Sequence, residues 1–437
     1  MRDYAQVVDT LVMGRLLFPS TKKGHSLREW GRRAKLEQQK DEFSDFDGGL
    51  TDEMVEYCIQ DCRTNADLYE WLDDKLNHYR FSNESVELEH YVAWIIAEQM
   101  RNGFEFDEEG AMRLYSELTD RLESIETELQ AVFPPIVHER WSEKTGKRLK
   151  DKVEVFNPGS RPQVAARLEG LGAKWSEKTP KGKPKVSETT LAENNHIPEA
   201  VLVLEYMTKQ KTLGLVKGWL NAVDDGRIYG RVVSNGAVTG RMTHSSPNLA
   251  QVPSDGACRK LFTVRPGYKL VGCDASGLEL RMLAHYMQDE EYTEEILNGD
   301  IHTKNQQAAG LSTRPQAKTF IYAFLYGAGD AKIGSIVGAG ANKGRQLKDR
   351  FLQQVPALSK LIDRLGKIAT KSATKDYNNE AISSLPALDG RRLWVRHDHA
   401  RLNTLLQGGG AVVMKQALVI AYNKLLHSGY DLSLIHI

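Results

Sequence analysis

Four side chains spaced four residues apart constrain this chain more than any other feature of its sequence. In the stretch RPQAKTFIYAFLYGAG they are Arg314, Lys318, Tyr322 and Tyr326. At 3.6 residues per turn they lie along one slowly drifting stripe of a helix, about 18 Å long. Two cations followed by two rings suit a nucleoside triphosphate, because the cations neutralise phosphates and the rings pack on sugar and base. A solvated helix face is the alternative.

Composition and charge set only wide limits on what the chain does. It has 437 residues, 27% charged and 41% hydrophobic, with a net charge of zero, which indicates a globular protein of two or three domains. Between Glu139 and Lys185 there are thirteen Lys and Arg against six Asp and Glu. This basic segment is either a phosphate-binding surface or a solvated loop.

Cysteine usage and hydropathy favour a reduced, intracellular protein. The four cysteines form neither a pair of CxxC motifs nor a disulfide framework, and no His or Cys cluster beside them indicates zinc. We find no signal peptide and no apolar run of 18 residues, so we expect no membrane partner.

A helix-rich pattern with some antiparallel sheet predicts a mixed α+β fold. Within it, the apolar run of KLVGCDASGLELR predicts a buried strand that ends at Asp274 and is followed by a helix. An acid at the end of a buried strand needs a partner or a metal ion. His302, in DIHTKN, is a candidate phosphate donor, although a lone histidine is more often structural.

Two further stretches carry polar groups suited to nucleic acid. The loop NGAVTGRMTHSSPNLAQVP offers Arg241 with small donors such as Asn248 and Gln251. These groups suit a sugar-phosphate backbone and minor-groove base edges, or else a plain surface loop. Asn403 and Gln407 lie four residues apart on an otherwise apolar helix face, where they are either groove donors or helix–helix hydrogen-bonding groups.

The order of DASGLELR, RPQAKTFIYAFLYG and LNTLLQGGGA resembles motifs A and B and the amide-bearing palm helix of family A DNA polymerases. Within that family, NGAVTGRMTHSSPNLAQVP and NGDIHTKNQ are most similar to the replicative polymerases of T-odd podophages. The resemblance covers nearly the whole chain, from Met1 to about Tyr430. It implies a right-hand fold of thumb, palm and fingers, preceded by the C-terminal part of an RNase H-like 3′–5′ exonuclease domain.

The resemblance also implies where the domains begin and end. We expect an exonuclease remnant at 1–80, thumb and connecting helices at 81–225, the first part of the palm at 226–300, the fingers at 301–370 and a return to the palm at 371–437.

Roles in catalysis and nucleotide binding follow from the resemblance residue by residue. Asp274 would be a catalytic carboxylate that binds two magnesium ions, with the backbone carbonyl of Ala275 as a further ligand. Glu279 looks like the steric gate against a ribose 2′-hydroxyl. The residues that would surround the incoming nucleotide and the templating base are His302, Arg314, Lys318, Tyr322, Tyr326 and Gly327.

The resemblance assigns DNA contacts and an exonuclease site in the same way. Arg241, Asn403 and Gln407 would check primer–template pairing through the minor groove, assisted by Asn248 and Gln251. The thumb turn FNPGSRPQ, with Asn157, Ser160 and Gln163, resembles the tip that grips duplex DNA. Tyr57 and Asp61, in YCIQD, resemble the third exonuclease motif, in which the tyrosine orients a water and the aspartate holds a metal.

The sequence also departs from the family pattern. The family carries a second catalytic carboxylate in a His-Asp-Glu turn after the last helix, whereas this chain reads SGYDLSLIHI there. Leu432–Ile437 match the translation of a transposon end used in preparing sequencing libraries. We therefore expect a chain truncated at both ends, with two exonuclease motifs upstream of Met1, that extends a primer little or not at all.

The partners expected from the sequence are primer–template DNA and deoxynucleoside triphosphates, in the cytoplasm of a host cell. The phage members of that family carry a large basic insertion in this region that recruits thioredoxin, whereas here HERWSEKTGKRLKDKVEV runs directly into FNPGSRP. A thioredoxin-type processivity factor is therefore not expected. We also expect a monomer. A remnant that grips primer–template DNA without chemistry stays open as the alternative to a polymerase.

Overall fold

The computed structural model describes residues 7–19, 21, 23–36, 49–142, 144–376 and 380–428. The adapter-like segment Leu432–Ile437 predicted from the sequence lies outside these residues. Helices dominate the described part of the chain, with short antiparallel strands between them. The α+β fold class predicted from the sequence is thereby confirmed.

The helices and strands are bounded as follows. The α-helices are α1 (Thr10–Leu17), α2 (Leu27–Ala34), α3 (Asp52–His78), α4 (Asn83–Asn102), α5 (Glu108–Val132), α6 (Arg161–Glu169), α7 (Glu188–Ala192), α8 (Pro198–Leu220), α9 (Gly256–Arg259), α10 (Leu278–Met287), α11 (Glu290–Leu297), α12 (Ile301–Ala309), α13 (Arg314–Leu325), α14 (Asp330–Ser335), α15 (Ala341–Gln354), α16 (Pro356–Lys371) and α17 (Arg401–Leu426). The strands are β1 (Phe104–Phe106), β2 (Ile136–Trp141), β3 (Arg148–Glu154), β4 (Val223–Asp224), β5 (Arg227–Ile228), β6 (Arg231–Val233), β7 (Thr243–Ser245), β8 (Phe262–Thr263), β9 (Thr374–Lys375), β10 (Ala381–Pro386) and β11 (Arg392–Val395).

The chain divides into two compact units. The first comprises Met1–Arg101, Val232–Thr243 and Gly272–His436. The second comprises Asn102–Arg231 and His244–Val271. The domain boundaries that the family resemblance implies are a finer division and stay predictions.

The second unit combines an antiparallel sheet with a helical core. The sheet has the order β4-β5-β1-β8, and β1 and β8 place Phe106 and Phe262 with ring centroids 5.4 Å apart. Trp219, at the end of α8, completes this aromatic cluster at 5.2 Å from Phe262. Apolar residues of α5, α6 and α8 form a separate core that includes Ile125, Val164 and Val203, all fully buried. These two cores supply the apolar burial that stabilises the unit.

The first unit is built around α10, α13, α16 and α17, with the three-stranded sheet β11-β10-β9. Two glycines inside α17 allow its close packing. A Cβ at Gly408 would overlap the side chain of Leu393, and one at Gly409 would lie 2.9 Å from the hydroxyl of Tyr286. Glycine costs about 1 kcal/mol relative to alanine inside a helix, but here it lets α17 approach β11 and α10 closely.

The predicted strand before Asp274 is wrong. Residues 269–273 form no strand, and Leu270 and Val271 are 50% and 87% exposed. A strand needs a hydrogen-bonded neighbour for its main-chain groups, and no strand in the described part of the chain pairs with this segment. The apolar run alone therefore does not fix its conformation.

The residues from Asp398 to Leu426, mostly α17, are long and apolar enough to cross a membrane by length and composition. The sequence analysis did not anticipate such a stretch. Of its most apolar 18-residue window, 56% is buried inside the protein, as expected for a core helix.

A buried ionic cluster joins three distant parts of the first unit. Glu89 on α4 is fully buried, and one of its carboxylate oxygens accepts hydrogen bonds from both Arg391 and Lys415. Arg391 also donates to Asp389 at 2.6 and 2.8 Å. Burial, followed by the charge of Arg391, lowers the pKa of Lys415 to about 8 against the opposing effect of Glu89. Glu89 is thus the carboxylate that bridges two buried cations, of which Arg391 is also compensated by Asp389.

We predict that Glu89→Gln lowers the free energy of unfolding by about 3–5 kcal/mol, since it leaves buried Lys415 without its carboxylate and Arg391 with Asp389 alone. Urea unfolding followed by circular dichroism measures the change. Glu87→Gln is the control, because Glu87 lies on the same helix but is exposed and should change stability by less than about 0.5 kcal/mol. Equal midpoints for the two variants would contradict a stabilising role for the cluster.

His25 lies in a mostly buried site beside Trp30, with ring centroids 5.7 Å apart. Burial, aided by the charges of Arg15 and Arg33, lowers the pKa of His25 to about 4, although its bond to the carbonyl of Pro19 opposes the shift. The folded protein therefore binds fewer protons here than the unfolded chain, in which a histidine titrates near pH 6.5.

We predict that acid destabilises the protein partly through His25. The stability that neutral His25 confers is complete above about pH 6.5 and falls as the pH drops towards about 4, by at most about 1.4 kcal/mol per pH unit. His25→Gln should flatten the acid side of a plot of unfolding midpoint against pH, whereas the exposed His196→Gln should not. If the unfolding midpoint of His25→Gln falls with decreasing pH as steeply as that of the unmodified protein, this assignment is wrong.

Candidate active site

The predicted stripe of cations and rings lies on the exposed face of α13. Thr313 caps the helix, and its partner Gln316 bonds back to the Thr313 amide at 3.2 Å, which fixes where the helix begins. The opposite face is buried in the core of the first unit, where Phe320 and Ile321 are fully buried. Along the stripe Arg314, Lys318 and Tyr326 are exposed and Tyr322 is partly buried.

His302 lies at the side of this stripe. Its ring centroid is 6.3 Å from that of Tyr322, which in turn is 6.3 Å from that of Tyr326. The Nδ1 atom of His302 is buried and has no hydrogen-bond partner among the described residues. Burial lowers the pKa of His302, and the charges of Arg314 and Lys318 lower it further, against the opposing charge of Asp300. These influences favour the neutral form of the imidazole.

Asp300 is a site residue that the sequence analysis missed. Its carboxylate accepts from Nε of Arg314 at 2.7 Å and from a second guanidinium nitrogen at 3.1 Å. The same carboxylate caps α12 through the amide of His302 and accepts from the hydroxyl of Thr303. The bond to Arg314 is the first cause that holds the pKa of Asp300 far below its usual range. An acidic N-cap before His302 was the one signal in the sequence.

Glu279 approaches the aromatic end of the stripe from the first turn of α10. The hydroxyl of Tyr326 donates to its carboxylate at 3.5 Å. Burial first and the charge of Glu279 second raise the pKa values of Tyr322 and Tyr326, and Arg241 acts in the opposite direction on Tyr326. The fold therefore brings Glu279, both rings and Arg241 close to one another.

Gly327 ends α13 in a conformation that only glycine adopts readily. Its φ is +74°, and a Cβ there would collide with the main-chain carbonyl of His399. The glycine thus allows the chain just after Tyr326 to pass close to the residues before α17.

The loop that carries Arg241 has a buried base and an exposed tip. Asn235 and Thr239 are 1% and 6% exposed, whereas Arg241 is exposed. Gly240, with a φ of +76°, lies where a Cβ would be 3.2 Å from the guanidinium of Arg391. Both amide atoms of Asn235 are buried and have no hydrogen-bond partner within the described ranges. The loop therefore rests on the buried ionic cluster.

In the amide pair on α17, Asn403 has a side-chain oxygen that no helix–helix hydrogen bond satisfies within the described residues. Asn403 and Gln407 are both partly buried on the first turns of the helix. The Oδ1 atom of Asn403 is buried and accepts no hydrogen bond from the described residues. The helix–helix hydrogen bond that the sequence offered as the alternative is therefore not made by this oxygen.

The described residues supply only part of the ligand set that the predicted metal site requires. Asp274 is exposed and Ala275 is partly exposed, just before α10. No group of three or more His, Cys, Asp or Glu side chains able to hold a metal ion occurs in the described part of the chain. One carboxylate does not fit a pair of divalent cations, so these residues by themselves do not make a two-metal site.

Five of the predicted DNA contacts lie in the second unit. In the turn before α6, the amide of Asn157 donates to the side chain of Gln163 at 2.7 Å, and Ser160 makes no side-chain capping bond. Asn248 and Gln251 belong to the loop after β7; Asn248 is partly buried and Gln251 is exposed.

The two predicted exonuclease residues lie in the first unit. Tyr57 and Asp61 are one turn apart on α3, and both are partly buried. Thr51 caps this helix, because its side chain accepts a hydrogen bond from the main-chain amide of Met54.

Comparison with known proteins identifies the family. Residues 136–436 match the family model described as DNA polymerase family A. The DNA-directed DNA polymerases of Escherichia phage T7 and Enterobacteria phage T3 are each 34% identical to this chain over 97% of its length and 78% of theirs. DNA polymerase I of Aquifex aeolicus is 25% identical over 98% of the chain and 72% of that protein.

A solved structure agrees with the fold. The polymerase domain of Pol1 from M. smegmatis, in complex with DNA primer–template and dNTP, superposes with a TM-score of 0.76 at 20% identity. The match covers 97% of this chain and 72% of that chain, and it confirms the predicted polymerase fold. The chain belongs to DNA polymerase family A, the family of DNA-directed DNA polymerases.

Proposed function

We propose that this chain supplies the nucleotide- and primer–template-binding groups of a phage replication polymerase that performs template-directed DNA synthesis. With Asp274 as the one proposed metal carboxylate of the polymerase site, this chain extends a primer little or not at all. The observation that supports this most strongly is the exposed stripe of α13, with His302 and Glu279 beside it, in a member of family A. Similarity to the phage T7 and T3 enzymes favours phage DNA replication in the host cytoplasm. Tyr57 and Asp61 on α3 would belong to a proofreading 3′–5′ exonuclease.

The incoming nucleotide would bind along the α13 stripe. Arg314 and Lys318 are exposed cations one turn apart, and His302 offers a ring nitrogen beside them. Lys318 has no ion pair among the described residues, whereas Arg314 is held by Asp300. A triphosphate therefore meets one free cation and one that is already oriented. Tyr322, Tyr326 and Gly327 would lie at the sugar and base end.

Glu279 would exclude a ribose 2′-hydroxyl. The hydroxyl of Tyr326 donates to Glu279, so the carboxylate is held at the sugar end of the stripe. Family A polymerases use divalent metal ions, but binding of Mg²⁺ by Asp274 and Ala275 and a two-metal mechanism stay predictions.

Primer–template DNA would contact both compact units. The solved structure of the M. smegmatis domain contains primer–template and dNTP, which supports the same partners here. In the first unit the proposed contacts are Arg241, Asn403 and Gln407. In the second unit they are Asn157, Ser160, Gln163, Asn248 and Gln251. A monomer that works without a thioredoxin-type factor stays a prediction.

We predict that Lys318→Ala weakens dNTP binding to the protein–primer–template complex by about ten- to a hundred-fold, because a charged hydrogen bond to phosphate contributes about 1.5–3 kcal/mol. The measurement titrates the correct dNTP, with Mg²⁺, into a complex whose primer ends in a dideoxynucleotide, so that no chemistry is needed. Fluorescence anisotropy of labelled DNA reports stabilisation of the complex.

Lys343→Ala is the control for this substitution, because Lys343 is an exposed lysine of α15 and should leave dNTP affinity unchanged. Unmodified chain that binds primer–template but shows no dNTP-dependent stabilisation would favour the alternative of a DNA-binding remnant without chemistry.

We predict that Glu279→Ala narrows the preference for dNTP over rNTP by about ten-fold or more in the same assay, because the carboxylate no longer occupies the space of a 2′-hydroxyl. Glu290→Ala, at an exposed position of α11, should keep the preference. A Glu279→Ala protein with unchanged discrimination would remove Glu279 from the sugar site.

A further inference from the structure

The hairpin of β2 and β3, residues 136–154, adds nothing to either core of the second unit. We call it the ribbon. It forms a two-stranded sheet of its own. All six residues of β2 are exposed, and none of β3 is buried. An isolated two-stranded hairpin is marginally stable in water, so a ribbon with no packing against a core is best explained by what it binds.

The register sorts the side chains of the ribbon onto two different faces. His138 pairs with Lys152 and Trp141 with Arg148, while Val137 pairs with Val153. Paired residues share a face, and successive residues of β2 alternate between faces. The register shifts between His138 and Arg140, where Lys150 and Asp151 both lie opposite Glu139. One face therefore carries His138, Arg140 and Lys152, and we call this the basic face. The other face carries Val137, Trp141, Arg148 and Val153.

Within the ribbon, each described acidic residue forms an ion pair, whereas most of the cations form none with the described residues. Arg148 lies 3.6 Å from Glu139 and 3.2 Å from Asp151, and His138 lies 3.2 Å from Glu154. The cations with no ion pair among the described residues are Arg140, Lys144, Lys147, Lys150 and Lys152. The ribbon therefore presents a surplus of positive charge although the whole chain has none.

The kind of cation favours nucleic acid over a protein partner. Four of the five free cations are lysines, and lysine is depleted in protein–protein interfaces, whereas phosphate contacts use lysine and arginine freely. A two-stranded ribbon also fits the major groove of duplex DNA. At about 3.4 Å per residue, its strands of six and seven residues extend for roughly six base-pair steps.

We propose that the ribbon is an additional DNA-binding element, which contacts the phosphates of duplex DNA through its basic face. Arg140 and Lys152 on that face, together with Lys150 at the register shift, neutralise phosphates along the ribbon. The proposal rests on the proposed polymerase function. It gives the chain DNA contacts, and a longer-lived complex, without a separate processivity factor.

The test compares two variants of the ribbon in the full chain. Lys150→Gln/Lys152→Gln removes two cations that have no ion pair among the described residues, Lys152 on the basic face and Lys150 at the register shift. Val137→Ser/Val153→Ser alters the opposite face. Binding of labelled primer–template is measured between 50 and 200 mM NaCl. Each phosphate contact contributes about 0.9 to the slope of log affinity against log salt, so the lysine variant should lower the slope by roughly two and weaken binding at 100 mM by about ten-fold or more. The valine variant should keep the slope.

Lys367→Gln/Lys371→Gln is the charge-matched control, because both lysines are exposed on one face of α16, and it should leave the slope unchanged. Far-ultraviolet circular dichroism verifies that each variant is folded. If the ribbon lysine variant binds DNA with the original slope and affinity, the proposal is wrong. A loss of DNA binding in the valine variant alone would also overturn it, in favour of an apolar contact.

Failure of this inference can be distinguished from failure of the proposed function. An unmodified chain that binds no primer–template contradicts both. An unmodified chain that binds primer–template and dNTP, but whose salt slope does not depend on Lys150 and Lys152, contradicts the ribbon alone.

Discussion

The buried carboxylate of Glu89 is the constraint on which the first unit depends. It accepts hydrogen bonds from Arg391 and Lys415, which come from a hairpin turn and from α17. Away from water, each of these charges is tolerable only because the others are present. Arg391 also supports Gly240 in the Arg241 loop, and Lys415 lies on the helix of Asn403 and Gln407. The proposed DNA contacts of the first unit, Arg241, Asn403 and Gln407, thus lie on segments that are joined to this buried ionic cluster.

The two faces of α13 have different roles: the buried face stabilises the fold, and the exposed face carries the residues proposed to bind the nucleotide. Phe320 and Ile321 are fully buried and hold the helix in the core. The exposed stripe is then free to carry charges that contribute little to folding, because exposed ion pairs are worth at most about 1 kcal/mol. Asp300 joins the two sides of the site, since one carboxylate caps α12 before His302 and orients Arg314 on α13.

Local features of the site were predictable from the sequence, and features made by distant partners were not. The stripe of α13 depends only on helical spacing within one element, and the structure contains it. The strand predicted before Asp274 failed because a strand requires a hydrogen-bonded neighbour, which an apolar run does not specify. Glu89 was missed because on α4 it reads as an ordinary charge, and its partners are some 300 residues away.

The sequence by itself determined the family and the face of α13 that meets solvent, because motif order and helical spacing are properties of the chain alone. Tertiary structure decided which charges are buried, which cation of the stripe is already paired, and that the basic segment includes a ribbon with one basic face. Each of these depends on side chains brought together from separate elements. Burial and strand register exist only once the elements have packed.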